Sequence, residues 1–208
     1  MNELGVDARS SATVPYPHES APSMAPVGRT SSSRRLPSAR LHFTYARLAV
    51  SRKHESPGTA LLAAWNKLAS LPGGTWLFSW YVGRLAPYSG TMGARVLALA
   101  PGHARIALED RRRVRNHLDS IHAIALANLG ELTTGLAMST ALPPSVRGIP
   151  TQLTIVYEKK ARGRLTAECR CSVPDVTEPQ DHSAQADIVD AEGDVVARVT
   201  VRWRVGPR

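Results

Sequence analysis

Three polar residues surround an apolar stretch of this 208-residue chain at spacings that could serve acid–base chemistry. His122 follows Asn116 by six positions, and Glu131 follows His122 by nine. The neighbours of Glu131 are apolar, and an unpaired carboxylate among apolar groups is costly to ionise, so its pKa is expected to be raised. Titratable groups with shifted pKa values are concentrated at functional sites, which makes Glu131 the first candidate for a catalytic role.

The spacing of Glu131 and His122 limits how one site could use both. Along an α-helix, nine residues correspond to about 13 Å of rise and about half a turn of net rotation. The two side chains therefore point away from each other and cannot reach one pocket within a single chain. A site that contains both residues requires two copies of the chain.

The residues around Glu131 predict a long buried helix. From Ile121 to about Ser139 the sequence is apolar on nearly every side, which is typical of a helix enclosed by other elements. Ser120 or Asp119 is suited to cap its start. Such a helix needs a sheet wrapped around it.

Alternating apolar and polar residues predict six strands for that sheet. Two fall before the helix, at about 94–100 and 105–110. Four follow it, at about 149–157, 165–173, 183–189 and 195–205. This order predicts an α+β fold in which a curved antiparallel sheet wraps around one long helix and offers its open face to a second copy.

Two shorter helices are predicted ahead of the sheet, the first beginning at Pro57 and the second covering about residues 75–85. Residues 1–40 are rich in Ser, Pro and Arg and are expected to form a disordered tail. The predicted organisation is thus this tail and a single domain at 41–208 with an N-terminal helical extension at 57–85.

The formal net charge of +9 favours an anionic partner: nucleic acid, an acidic membrane surface or a phosphorylated cofactor. No stretch is long and apolar enough to span a membrane, and the start of the chain lacks the layout of a secretory signal. Cys169 and Cys171 are too close to build a disulfide framework and fit a reducing compartment, so a cytoplasmic location is expected. With His182 they match no standard zinc pattern, and no metal site is predicted.

The eight residues that begin at Asn116, followed by Leu-Gly-Glu at 129–131, resemble the signature of hotdog thioesterases of the phenylacetate-degradation type. In that family an Asn precedes a His-Gly-Gly by six positions, and a catalytic Asp or Glu follows the His by nine, which are the spacings found here. The stretch that continues to Gly135, with residues 157–163, is also similar to an uncharacterised bacterial branch of the hotdog superfamily. The resemblance covers about residues 61–205 and implies a hotdog fold.

This resemblance implies a homodimer, or a dimer of dimers, with composite sites that hydrolyse an acyl-CoA or acyl-carrier-protein thioester to an acid and a free thiol. Glu131 would be the general base on water or the nucleophile, and the Ala123 N–H would form the oxyanion hole. Asn116 would hold the water or the substrate carbonyl, and His122 would orient the loop and the helix start. Coenzyme A enters only as part of the substrate, and no metal or redox cofactor is implied.

Four further residues are candidates for substrate binding. Lys160, Arg162 and Arg164 could bind the phosphates of coenzyme A, since their cations pair well with phosphate oxygens. A solvated turn that carries basic side chains is the alternative interpretation. Gly135, at the end of the stretch that resembles the bacterial branch, is the fourth candidate.

The chain departs from the resemblance at Ala123 and Ile124, where the family has two glycines. The Ala123 N–H is still expected at a helix start, where the dipole favours negative charge. One alternative is a hotdog module that binds acyl-CoA or acyl-carrier protein without hydrolysis, which the alanine favours. A hydratase is a second alternative, but it would pair an Asp with a His differently, and the sequence shows no such pair. Nucleic-acid binding is a third, suggested by the charge alone, because the sequence has neither interleaved aromatic residues nor a basic helix.

Each candidate also has a structural interpretation. Glu131 could pair with an Arg inside a dimer interface, His122 could cap the helix, and Asn116 could close a turn. Tyr157 and Trp203, at strand positions, are predicted to be core residues. The three polar residues together at the family spacing favour the functional interpretation.

Overall fold

The computed structural model describes residues 56–173 and 175–208. The predicted tail at 1–40 and the start of the predicted domain at 41–55 lie outside the described residues. The helices are α1 (Pro57–Leu68), α2 (Gly74–Leu85), α3 (Pro87–Gly90) and α4 (Ala123–Ala141). The strands are β1 (Arg95–Ala100), β2 (His103–Leu108), β3 (Val146–Tyr157), β4 (Leu165–Arg170), β5 (Gln180–Val189) and β6 (Val195–Pro207).

These strands form one antiparallel sheet in the order β1-β2-β4-β5-β6-β3. β6 pairs with β5 on one side and with β3 on the other. Its alternation matches the sequence pattern, since Val199 and Val201 are fully buried while Arg202 and Arg204 are exposed. β3 has a neighbour on one side only and is an edge strand.

The curved sheet wraps around α4. Leu129, Leu136 and Met138 of this helix are buried against it. Gly130 marks the closest approach, because a Cβ at this position would collide with the side chain of Val199 on β6. A long helix enclosed by one curved antiparallel sheet is the hotdog arrangement, so the predicted fold is confirmed.

The helices ahead of the sheet extend this core. Ser56 caps α1, since its Oγ accepts a hydrogen bond from Thr59 N at 3.2 Å. Trp65 of α1 meets Phe78 of α2 edge to face, with ring centroids 5.1 Å apart, and Phe78 is fully buried. None of the described helices is both long and apolar enough to cross a membrane.

The prediction that α4 is buried on every side is wrong for its first half. Ile124 is 55% exposed, and Ala127 and Glu131 are partly exposed. The sheet covers one side of the helix, and these three residues lie on the opposite side. Together with Gly135, about one turn beyond Glu131, they form a partly open face of α4 that contains the candidate catalytic carboxylate.

Candidate functional site

The loop before α4 is closed by the side chain of Asn116. Its Oδ1 accepts hydrogen bonds from Leu118 N at 2.9 Å and from Ser120 N at 3.3 Å. The Asn116 N–H donates to Ser120 O at 2.8 Å. Asn116 therefore closes the turn, as its structural interpretation predicts, and only its Nδ2 group remains available for a ligand.

His122 is the N-cap of α4, which corrects the prediction that Ser120 or Asp119 caps the helix. Its Nδ1 accepts a hydrogen bond from Ile124 N at 3.0 Å. The chain stays extended up to this point because the His122 N–H donates to Val114 O at 2.8 Å. The Ile121 N–H likewise donates to Ala161 O at 2.9 Å, and these two bonds delay the helix start to Ala123, two residues later than predicted.

The Ala123 N–H is the first amide of α4 and makes no hydrogen bond with any described residue. Amides at this position point out along the helix axis, where the helix dipole favours a negative charge. The Ala123 carbonyl in turn accepts a hydrogen bond from the Tyr157 hydroxyl at 3.2 Å. The end of β3 is thereby tied to the start of the helix.

Tyr157 is 47% exposed, so the prediction that it is a core residue is wrong. The reason is that β3 is an edge strand, with no neighbouring strand on its outer side. The same prediction for Trp203 is confirmed, since that ring is 6% exposed. The contact between Tyr157 and the helix start had no signal in the sequence, because a strand pattern does not distinguish edge from central strands.

Glu131 lies in the third turn of α4, on the partly open face. Its carboxylate makes no hydrogen bond or ion pair with a described residue. Burial raises the pKa of the Glu131 carboxyl above the ordinary glutamate value, as the sequence predicts. A half-buried carboxylate without a neutralising partner is suited to accept a proton.

Space beside this carboxylate is provided by Gly135. Glu131 Oε1 lies 3.8 Å from the position that a Cβ of Gly135 would occupy, and the Cη2 atom of Trp203 lies 3.7 Å from it. The glycine thus leaves a notch between the carboxylate and the indole edge. This is the position that the sequence suggested for substrate binding.

Replacing Gly135 with Ala is expected to raise stability and lower activity. The added Cβ meets only ordinary van der Waals contacts. Alanine is better than glycine within a helix by about 0.5–1 kcal/mol, so Tm should rise by about 2–4 °C. For the thioester hydrolysis that the resemblance implies, the filled notch should reduce kcat/KM by about tenfold or more. Ser139→Ala on the same helix is the matched control, and equal activity of both variants would contradict a role for the notch.

The structure groups Asn116, His122 and Ala123 at the start of α4, but it does not bring Glu131 to them. Glu131 lies about 12 Å further along the helix from Ala123. Within one chain the candidate oxyanion donor and the candidate base are therefore too far apart to act on one carbonyl group.

Two of the three basic candidates are engaged in contacts. Arg162 Nε donates to Asp119 O at 3.3 Å, which places its guanidinium beside the loop that precedes α4. Arg164 Nε lies 3.5 Å from Glu109 Oε1 in an exposed ion pair. Lys160 is exposed, and no described carboxylate pairs with it. Across residues 56–173 and 175–208, no group of three His, Cys, Asp or Glu side chains is placed to hold a metal ion.

A family model described as a domain of unknown function, DUF4442, matches residues 74–205, which include α2, α4 and all of the described sheet except the last two residues of β6. The chain belongs to this family. A search of the curated proteins finds no match to this chain.

Solved structures share the fold of this DUF4442 protein. The structural-genomics target APC5556 is 27% identical, with a TM-score of 0.62 over 71% of this chain and 98% of that chain. A Pseudomonas aeruginosa protein of unknown function, described as a probable thioesterase, is 20% identical, with a TM-score of 0.57 over 66% and 97% of the two chains. A mutant of the Staphylococcus aureus thioesterase SAV0944 is 15% identical, with a TM-score of 0.52 over 58% and 99%. These similarities agree with the hotdog fold described above.

Proposed function

We propose that this DUF4442 protein is a thioesterase that hydrolyses an acyl-CoA thioester to an acid and a free thiol. The observation that carries the proposal is the presence, on one helix, of both an unpartnered half-buried carboxylate at Glu131 and an unused N–H at Ala123. The descriptions of two structurally similar proteins as thioesterases support the same reaction class.

The proposed reaction uses both groups on one carbonyl. Glu131 accepts a proton from water, whose oxygen adds to the thioester carbon, while the Ala123 N–H stabilises the negative charge that develops on the carbonyl oxygen. The C–S bond then breaks, and the leaving thiolate takes up the proton from Glu131. Asn116 Nδ2 would hold the water or the carbonyl, and His122 would fix the start of the helix.

Because these groups are too far apart in one chain, we infer that each site is formed by two copies. Several exposed apolar side chains lie on the edge strand β3 and beside it on α4: Ile149 is 61% exposed, Leu153 40%, Val156 53% and Ile124 55%. An apolar edge strand of this kind is prone to pair with another chain. A second copy is the occupant that would also complete the site.

The register of the strands supports this arrangement. α4 runs alongside β3, because two contacts align them. At the start of the helix, Ala123 contacts Tyr157 at the end of β3. Further along, Gly135 faces Trp203 of β6, whose partner on β3 is Pro150. The distance from Ala123 to Glu131, about 12 Å, corresponds to just under four strand residues. Glu131 is therefore about level with Leu153.

Antiparallel pairing of β3 with its copy, about a two-fold axis near Ile155, would set Tyr157 of one chain opposite Leu153 of the partner subunit. The Ala123 N–H would then lie beside Glu131 of the partner subunit, and the symmetry would create two such sites. Arg162 and Lys160, close to the loop before α4, would flank each site and bind the phosphates of coenzyme A.

The direct test mixes the purified protein with a panel of acyl-CoA esters and follows the release of free thiol. Turnover of at least one ester is the expected result. Saturable binding of an ester without any thiol release would instead support the alternative of a hotdog module that holds acyl-CoA. Ala123, which stands where the resembling family has a glycine, favours that alternative.

A further inference from the structure

A cavity of about 380 Å³ lies between α2, the strands β1 and β2 and the middle of α4. Its inner wall is apolar and includes Val82, Val96 and Leu132. The volume is within the range of small-molecule sites. Glu131 does not line it, because adjacent residues on a helix point about 100° apart.

Four arginines from three separate parts of the chain line the same cavity. They are Arg84, Arg95, Arg111 and Arg113. None of the four forms an ion pair with a carboxylate in the described part of the chain. Glu109 also lines the cavity, but its carboxylate already pairs with Arg164. The cavity therefore has an uncompensated positive charge.

One of these guanidinium groups rests on a glycine. Gly93 has a φ of 64°, a conformation that other residues rarely adopt, and a Cβ there would collide with the Nη2 atom of Arg113. The backbone at this point is thus shaped to accept the arginine side chain. The Arg113 guanidinium therefore lies against the Gly93 backbone at the cavity wall, although the residue as a whole is exposed.

Two tryptophans complete the wall on the solvent side. Trp76 and Trp80 are one turn apart on α2 and are 65% and 55% exposed. The Arg84 guanidinium lies 5.8 Å from the centroid of the Trp80 ring, a cation–π distance. Large exposed aromatic surfaces are uncommon on soluble domains and commonly mark binding sites.

We propose that this cavity binds an amphipathic organic anion, with its apolar chain or ring against Val82, Val96 and Leu132 and its carboxylate or phosphate on the arginines. An apolar wall combined with several unpaired guanidinium groups fits such a molecule better than a neutral or cationic one. The two tryptophan rings would cover the part of the ligand nearest to solvent. This site is separate from the one that contains Glu131 and does not depend on thioester hydrolysis.

The test titrates the full-length chain with decanoate, with decyl phosphate and with decyltrimethylammonium, and follows heat of binding and tryptophan fluorescence. The three probes share one alkyl chain and differ in the head group, so the comparison isolates the charge. Saturable binding of at least one anion, about tenfold or more tighter than the cation, is expected. The better of the two anions identifies whether a carboxylate or a phosphate ester is the preferred head group. Equal affinity for all three probes, or no saturable binding of either anion, would overturn the proposal.

Variants locate the binding. The double variant Arg95→Gln and Arg113→Gln should raise the Kd for the preferred anion by about tenfold or more. Arg202→Gln, on the outer face of β6, is the matched charge control and should leave Kd unchanged. Trp80→Ala should weaken binding, whereas Tyr88→Ala, an exposed aromatic outside the cavity lining, should not. A double variant that binds as tightly as the Arg202→Gln control would exclude this cavity. Because none of the probes is a thioester, this result is independent of whether the chain hydrolyses thioesters.

Discussion

Replacing Glu131 with Gln is expected to lower kcat for thioester hydrolysis by about 10²–10⁴-fold. Glutamine has nearly the same shape but cannot accept the proton of the attacking water. KM should change little, since in the proposed reaction the carboxylate acts on water and not on the substrate. Steady-state rates of thiol release check the result, and a Gln variant that retains wild-type kcat would contradict the assignment of Glu131 as the base.

The pH dependence of the wild-type rate follows from the same carboxyl group. Burial raises the pKa of Glu131, and only the ionised form can act as a base. kcat/KM should therefore increase as pH rises through a pKa above the ordinary glutamate value. The residual rate of the Gln variant should lack this increase.

Stability should depend on pH in the opposite direction. Because the pKa of Glu131 is higher in the folded than in the unfolded chain, the folded state binds more protons in the interval between the two pKa values. Stability therefore falls as pH rises through that interval. Glu131→Gln should melt at a higher temperature than wild type at about pH 8 and at nearly the same temperature at about pH 4. A lower Tm of the variant at the higher pH would indicate that the carboxylate has a stabilising partner.

Replacing Ala123 with Pro is expected to lower kcat by about 10²–10³-fold while the protein remains folded. Proline is favoured at the first position of a helix, and the Ala123 N–H makes no hydrogen bond with any residue at 56–173 or 175–208 that the substitution would break. The preceding residue, His122, already has a ψ of 139°, which suits a residue before proline. The substitution thus removes the proposed oxyanion donor and little else.

The matched control at this position is Ala123→Gly, which keeps the N–H and has the residue that the resembling family uses. It should retain the wild-type rate or exceed it, and circular dichroism and Tm should show that both variants are folded. If the proline variant hydrolyses thioesters at the wild-type rate, the Ala123 N–H has no part in the reaction.

Local patterns were sufficient to predict the six strands, the helices α1, α2 and α4, and the raised pKa of Glu131, but not the short helix α3. The alternation in β6 and the apolar stretch of α4 each reflect burial against a neighbouring element, because buried positions are occupied mainly by apolar residues. The start of α4 could not be predicted in this way. It depends on hydrogen bonds that the Ile121 N–H donates to the Ala161 carbonyl and the His122 N–H donates to the Val114 carbonyl, and these groups meet only in the folded chain.

The exposure of Tyr157 and the arginine-lined cavity were beyond sequence patterns for a related reason. A strand with apolar alternation looks the same at an edge as at the centre of a sheet, and only the strand order shows that β3 is an edge. The cavity arginines Arg84 and Arg113 are distant in sequence and belong to different elements. Their proximity is a property of the topology.

The most direct test of the two-chain site combines two inactive variants. Glu131→Gln and Ala123→Pro would be unfolded together, refolded as a mixture and assayed for thiol release. In a mixed dimer, one site would have the intact helix start of the first variant and the intact Glu131 of the second. With random pairing, half of the dimers are mixed, and each mixed dimer has one intact site out of two. About a quarter of the wild-type rate should therefore return. If the two variants are folded and dimeric but the mixture has no more activity than either alone, the composite site is wrong.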